Sequence, residues 1–131
     1  MARILIVDDE KNIRQSLREI LEYEHYEVDE ASDGEVALNM ILEDVYDVVL
    51  LDIKMPRMDG EELLKKLKKK MSIPIIFLTS KDDEVDELLG LKLGADDFVK
   101  KSGGFSTKVL IERIRVQLRK KTTTIDDTKN I

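Results

Sequence analysis

Asp8, Asp9 and Glu10 follow directly on the apolar run Ile4 to Val7, and Asp52 follows directly on Val48 to Leu51. Both runs read as buried parallel strands, so carboxylates are expected at the carboxyl ends of two of them. In open α/β sheets that is where ligands bind, outside the strand ends where strand order reverses. If the first and third strands are neighbours, their backbones lie about 4.8 Å apart and the carboxylates converge on one small volume. Clustered carboxylates repel one another unless a cation or hydrogen-bond donors neutralise them. All-oxygen ligation suits a hard divalent cation, magnesium first, with manganese as the alternative.

Two further residues extend the pattern. Thr79 ends the fourth predicted strand, where its hydroxyl can donate to an anion. Lys101 follows the fifth, where its ammonium can neutralise phosphoryl oxygens. Singly, each of these residues could do no more than end a strand, cap a helix or sit in solvent. Jointly they make a site that can accept a phosphoryl group on a carboxylate, with the charge of in-line transfer stabilised by cation, lysine and hydroxyl. Asp52 is the acceptor expected, because it lies on the more central strand. The Asp8-Asp9 pair, on a turn, is better placed to share the cation.

The elements that must hold these residues alternate in type. Strands are predicted at 3–7, 27–31, 47–51, 73–78 and 97–100, the second weaker and more polar and therefore at an edge. Between them Ile13, Leu17, Ile20 and Leu21 share one helical face, as do Val36, Ala37, Met40 and Ile41, and then Leu63, Leu64, Leu67 and Met71. Val85, Leu88, Leu89, Leu91 and Leu93 mark a fourth helix that Gly94 ends, and Val109, Leu110, Ile114 and Leu118 mark a fifth. Asp33-Gly34 and Asp59-Gly60 are turn and cap signals at helix starts. The expected fold is a flavodoxin-like, doubly wound five-stranded parallel sheet of order 2-1-3-4-5 with helices on both faces. Residues 1–121 form its one domain. Residues 122–131 lack periodicity and read as a polar tail or a linker stub toward a further domain.

Composition narrows the function classes. A length of 131 residues allows one compact core. With 42% apolar and 38% charged residues the chain should fold unaided. The absence of cysteine excludes disulfides and thiolate metal sites and suits a reducing cytoplasm. No apolar run approaches the length of a membrane helix, so no membrane partner is expected. The net charge of −6 argues against nucleic-acid binding by this chain, which would need a basic footprint. The basic residues Arg113, Arg115, Arg119, Lys120 and Lys121 suit the carboxyl end of a helix. His25, the single histidine, sits in a helix-to-strand turn and reads as a surface residue.

The set Ile-Val-Asp-Asp-Glu at 6–10, Leu-Leu-Asp-Ile-Lys-Met-Pro-Arg-Met-Asp-Gly at 50–60, Leu-Thr-Ser at 78–80 and Gly-Ala-Asp-Asp-Phe-Val-Lys-Lys at 94–101 resembles the receiver domains of bacterial two-component response regulators. The resemblance spans about 4–121. It implies a non-enzymatic signalling module that takes a phosphoryl group from a sensor histidine kinase onto Asp52. It also implies magnesium bound by Asp9, Asp52 and the Lys54 backbone carbonyl, with Asp8 acting partly through water. Thr79 and Phe98 correspond to the family's switch pair, which remodels the face made by the fourth helix, fifth strand and fifth helix.

The wording at 52–60 and 77–82 looks most like regulators whose receiver precedes a winged-helix DNA-binding domain, so DNA would be reached only through an output domain outside this chain. Such regulators commonly form homodimers on phosphorylation. Asp96, Asp97, Arg113, Arg119 and Lys120 match their charged dimer face, whereas Glu87 and Val109 stand where many members carry an opposite-charge pair.

The pattern breaks after Lys101. The family's lysine is followed by a proline in a cis peptide and then an aromatic residue, but here Ser102-Gly103-Gly104-Phe105 comes next. Without proline the cis form costs about 2.5 to 4 kcal/mol, so a trans Lys101-Ser102 bond is expected. Lys100 is the rival for the lysine role, because neighbours on a strand point to opposite faces. A phosphorylation-independent docking module is the alternative function. A haloacid-dehalogenase-like phosphatase would need a second aspartate where Lys54 stands, and no glycine-rich nucleotide loop occurs.

Overall fold

A continuously apolar strand is stable only where helices cover both faces of its sheet, and Ile4, Leu5, Ile6 and Val7 are all fully buried. In the computed structural model these residues form most of β1 (Arg3–Val7), at the heart of the molecule. The structure describes residues 2–52, 65, 73–79, 96–100 and 107–129, apart from the side chains of 79, 100 and 121–129. β2 (Glu27–Ala31), β3 (Val48–Asp52), β4 (Ile75–Thr79) and β5 (Asp97–Lys100) join β1 in one parallel sheet of order β2-β1-β3-β4-β5. The order and the polar edge strand β2 are those expected from the sequence.

Alternation along the strands sorts the core into two layers. Leu5, Val7, Val49, Leu51, Ile75 and Phe77 face one side, where Ala37 and Ile41 of α2 (Gly34–Glu43) and Tyr46 cover them. Ile4, Ile6, Val48, Leu50, Ile76 and Leu78 face the other. There Leu17 and Leu21 of α1 (Lys11–Tyr23) pack beside Leu110, Ile111 and Ile114 of α3 (Thr107–Lys129), the fifth helix of the sequence pattern. The third and fourth predicted helical stripes and the caps at Gly94 and Asp59-Gly60 lie outside the described residues, save for Lys65, which is helical.

Two strand boundaries differ from the pattern by a residue or two. Asp47 is drawn out of β3 because its carboxylate accepts the Arg3 N–H at 2.8 Å and its own N–H donates to the Arg3 carbonyl, also at 2.8 Å. Pro74, with no N–H to offer the ladder, keeps β4 from starting before Ile75. Two helix faces also need correction. Val36 and Val109, grouped with the apolar stripes, are exposed, and Ile111 and Gln117 are buried instead on α3.

The ends of the helices have identifiable causes. Asp33 caps α2 by accepting the Val36 N–H at 2.9 Å. α1 closes through two bonds, His25 N–H to the Glu22 carbonyl at 2.9 Å and Tyr26 N–H to the Leu21 carbonyl at 3.1 Å. That pair of bonds is a Schellman motif, and its left-handed position is filled by His25 at φ 67° rather than by glycine. α3 does not stop where the sequence loses its apolar period. Residues 122–129, read in the sequence as the start of a polar tail or linker stub without helical periodicity, continue the helix to Lys129. Once a helix is nucleated, each added residue brings its own backbone hydrogen bond and needs no new nucleus.

Candidate functional site

The ladder between β1 and β3 pairs Ile4 with Val48 and continues to Val7 with Leu51. One further step along the same register sets Asp8 opposite Asp52. Ile4 and Ile6 on β1, and Val48 and Leu50 on β3, share the sheet face covered by α1 and α3. Because the side-chain period of a strand is two, Asp8 and Asp52 continue those two stripes on the same face. Both carboxylates are buried, Asp8 fully and Asp52 to within 5%.

Asp9 and Glu10 complete the group from the β1–α1 turn. One carboxylate oxygen from each of Asp8, Asp9 and Glu10 lies within 4.8 Å of the others, the one such acidic group among the described residues. Asp9 and Glu10 are exposed, so the group opens to solvent on one side and is backed by the sheet on the other. The Glu10 N–H donates to Asp8 Oδ1 at 2.9 Å, which fixes that carboxylate relative to the turn. The backbone of Asp8 is held as well: its N–H donates to the Ala31 carbonyl at 3.2 Å, and its carbonyl accepts from Arg14 Nη1 at 2.8 Å. An all-carboxylate donor set of this kind fits a hard divalent cation and offers nothing to a soft one.

The expected site residues divide into three groups. Asp8, Asp9 and Asp52 come together at adjacent strand ends, and Glu10, treated in the sequence only as their neighbour, joins the acidic group. The backbone of Thr79 ends β4 and pairs in register with Lys100. The side chains of Thr79 and Lys100, all of Lys54 and Lys101, and the loop 102–104 lie outside the described residues. Phe98 is half-buried on β5, opposite Phe77 in the ladder, and packs against the α2 side of the core.

Three of the residues matched to a dimer face, Asp96, Asp97 and Arg113, have partners within the chain. Asp96 accepts the Ile75 N–H at 2.8 Å and donates its own N–H to the Ile75 carbonyl at 2.8 Å, tying the start of β5 to β4. Asp97 receives Arg113 Nη1 on both oxygens, at 3.0 and 3.1 Å. Arg119 and Lys120 are exposed farther along α3. Between β5 and α3 a shallow depression of about 400 Å³ is lined by Asp97, Lys108, Val109, Glu112, Arg113 and Val116. No helix among the described residues is long and apolar enough to cross a membrane.

Arg14 was not singled out in the sequence. The signal available there was only an arginine in the first turn of the helix after the acidic strand end. Its second partner, Glu30, comes from another strand.

Comparison with known proteins places residues 4–115 in the response regulator receiver domain family. The receiver domain of Francisella response regulator 1452 is 34% identical, with a TM-score of 0.85 over 92% of this chain and 99% of that one. The chemotaxis protein CheY4 of Vibrio cholerae is 32% identical, with a TM-score of 0.80 over 90% of this chain and 99% of that one. NtrX from Brucella abortus is 30% identical with a TM-score of 0.92; it matches all of this chain, which spans 30% of the NtrX chain.

Proposed function

Since this chain belongs to the response regulator receiver domain family, we propose that it is switched by transfer of a phosphoryl group from a sensor histidine kinase to the carboxylate of Asp52. The observation that carries the reading is the register that sets buried Asp52 beside buried Asp8 on one sheet face, with Asp9 and Glu10 gathered at the same end. In the transfer a phosphohistidine P–N bond breaks and an O–P bond forms to Asp52, giving an acyl phosphate. Asp8, Asp9 and Asp52, with the Lys54 carbonyl by family resemblance, would hold a magnesium ion, or manganese in its place, whose chemistry is to neutralise charge on the phosphoryl oxygens. Burial keeps bulk water from Asp52 and strengthens each electrostatic contact in the pocket.

Thr79 and Lys101 are assigned the hydroxyl and ammonium contacts to the phosphoryl group, and Phe98 the aromatic member of the switch. Phe98 has the half-buried position that a two-state ring requires. The readout passes to the face of β5 and α3, where homodimerisation on phosphorylation would have to compete with the Asp97 to Arg113 pair already made within the chain. An output domain, of the DNA-binding kind in this reading, would carry the response in the cytoplasm. A receiver of this fold occurring as part of a longer chain, as in NtrX, supports that arrangement.

The test is incubation with magnesium and acetyl phosphate and then intact-mass measurement. One added phosphoryl group on the wild type, absent from Asp52→Ala, is expected. Equal addition to the variant would overturn the assignment to Asp52, and no addition to the wild type would overturn phosphorylation itself and favour a docking module that works without it.

A further inference from the structure

The β1–α1 turn carries the acidic group, and beyond Val7, the last residue of β1, the ladder reaches into it by one main-chain bond, from the Asp8 N–H to the Ala31 carbonyl. Asp8 is held in place by a cross-strand bridge. Arg14 donates from Nη1 to the Asp8 carbonyl at 2.8 Å and from Nε to Glu30 Oε1 at 3.1 Å. Glu30 lies on β2, one residue before Ala31, whose carbonyl takes the Asp8 N–H. Both main-chain groups of Asp8 are therefore tied to β2, one directly and one through the guanidinium. Arg18 shares Glu30, donating from Nε to Oε2 at 2.6 Å, and has no bond to Asp8.

We propose that Arg14, anchored by Glu30, is a positioning residue for the divalent-cation site: it presets the Asp8-Asp9 turn so that the carboxylates are in place before the cation arrives. The inference rests on reading the acidic group as a cation site. The side chain suits the task. Arg14 is 15% exposed against 34% for Arg18, and a planar guanidinium can serve two acceptors at once where an ammonium is a single point charge. Charge and position make opposite demands here. A cation beside the pocket repels a second cation, so by charge alone deleting Arg14 would tighten metal binding. As a positioning group, its deletion weakens binding, because groups that orient metal ligands typically contribute about 10-fold to 100-fold in affinity.

The experiment titrates the full chain with Mn²⁺ and tracks the free-ion paramagnetic resonance signal, with the metal-free melting temperature measured on the same samples. Arg14→Ala is expected to weaken Mn²⁺ binding about tenfold, at the lower end of that range because Arg14 touches the Asp8 backbone and not a ligating oxygen. Arg14→Lys keeps the charge without the bridge and should stay at least about threefold weaker than wild type, while Glu30→Gln should weaken binding in the same direction. Arg18→Ala, which removes contacts to Glu30 and Glu22 and none to Asp8, should stay within about twofold.

A purely structural role would lower the metal-free melting temperature of Arg14→Ala and leave its Mn²⁺ affinity unchanged. That result, tighter binding by Arg14→Ala, or full affinity in Arg14→Lys would overturn the proposal. Wild type that binds no Mn²⁺ would instead bring down the underlying reading of the site, and the two failures are told apart before any variant is compared.

Discussion

Replacing Asp52 with asparagine should stabilise the metal-free protein and abolish most of its stabilisation by magnesium. The register brings the Asp8 and Asp52 backbones to neighbouring strand positions, and both side chains leave the sheet on the same face. Two carboxylates about 5 Å apart repel by about 3 kcal/mol at an effective dielectric constant of about 20. The open side of the pocket, marked by exposed Asp9 and Glu10, and the hydrogen bond that Asp8 accepts from the Glu10 N–H reduce this. Relief of about half, about 1.5 kcal/mol, is the working figure. For a chain of this length the unfolding entropy is about 0.28 kcal/mol/K, so the melting temperature in chelator should rise by about 5 °C. Magnesium at tenfold its dissociation constant adds about 1.4 kcal/mol to the wild type, a similar rise that the variant should largely lack. Far-ultraviolet circular dichroism melts with and without magnesium measure both. A variant that melts lower than wild type in chelator, or that keeps the full magnesium response, would refute the reasoning that these two carboxylates share one cation.

Two predictions concern parts of the fold away from the site. His25→Gly should raise the melting temperature by about 2 to 4 °C: a left-handed conformation costs an L-residue about 1 to 2 kcal/mol, of which glycine's greater unfolded-state freedom returns about 0.5 to 1. His25→Ala keeps the Cβ, so an equal gain from that variant would show that the gain did not come from the backbone. Burial pushes the Tyr46 hydroxyl up from its ordinary pKa, helped by its hydrogen bond to Asp29 at 2.7 Å and by the charge of that carboxylate. Because the folded value is the higher one, this contribution is complete below pH about 10 and declines above it, by up to about 1.4 kcal/mol per pH unit, as the unfolded phenol ionises. Tyr46→Phe should cost about 1 to 2 kcal/mol at neutral pH, since Arg3 still pairs with Asp29 at 3.0 Å, and should flatten the alkaline decline. Urea unfolding at a series of pH values checks both, and parallel decline of the two proteins would count against the assignment.

The sheet was legible because its strands are local signals. Ile4 to Val7, Val48 to Leu51 and Ile75 to Leu78 are buried on both faces and therefore apolar without alternation, and that pattern alone placed them centrally. The helix faces were less legible. Val36 and Val109 match the helical period but stand at its margin, where a shift of one position decides between sheet and solvent. The end of α3 was not legible at all, because Thr122, Thr123 and Thr124 are weak helix formers whose conformation is decided by the helix already running into them.

At the site, the same contrast separates carboxylates from their supports. Asp8 and Asp52 could be found because each comes directly after an apolar run, and a strand end is a position the sequence itself marks. The pairing of Asp97 with Arg113 and of Arg14 with Glu30 joins residues sixteen positions apart, on elements whose approach only the fold defines. This difference bears on how the β5 and α3 face could work. Asp97 and Arg113 are recognisable as charges suited to a dimer, but in the proposed dimer their bond within the chain would have to be exchanged for bonds to a partner. Such an exchange conserves the number of ion pairs and adds little net affinity of its own, as expected for a pair whose arginine is open to solvent. In the proposed reading, dimerisation on phosphorylation would therefore need a change in the shape of the face, and Phe98, next in sequence to Asp97 and packed on the core, is the side chain to which that reading gives the change.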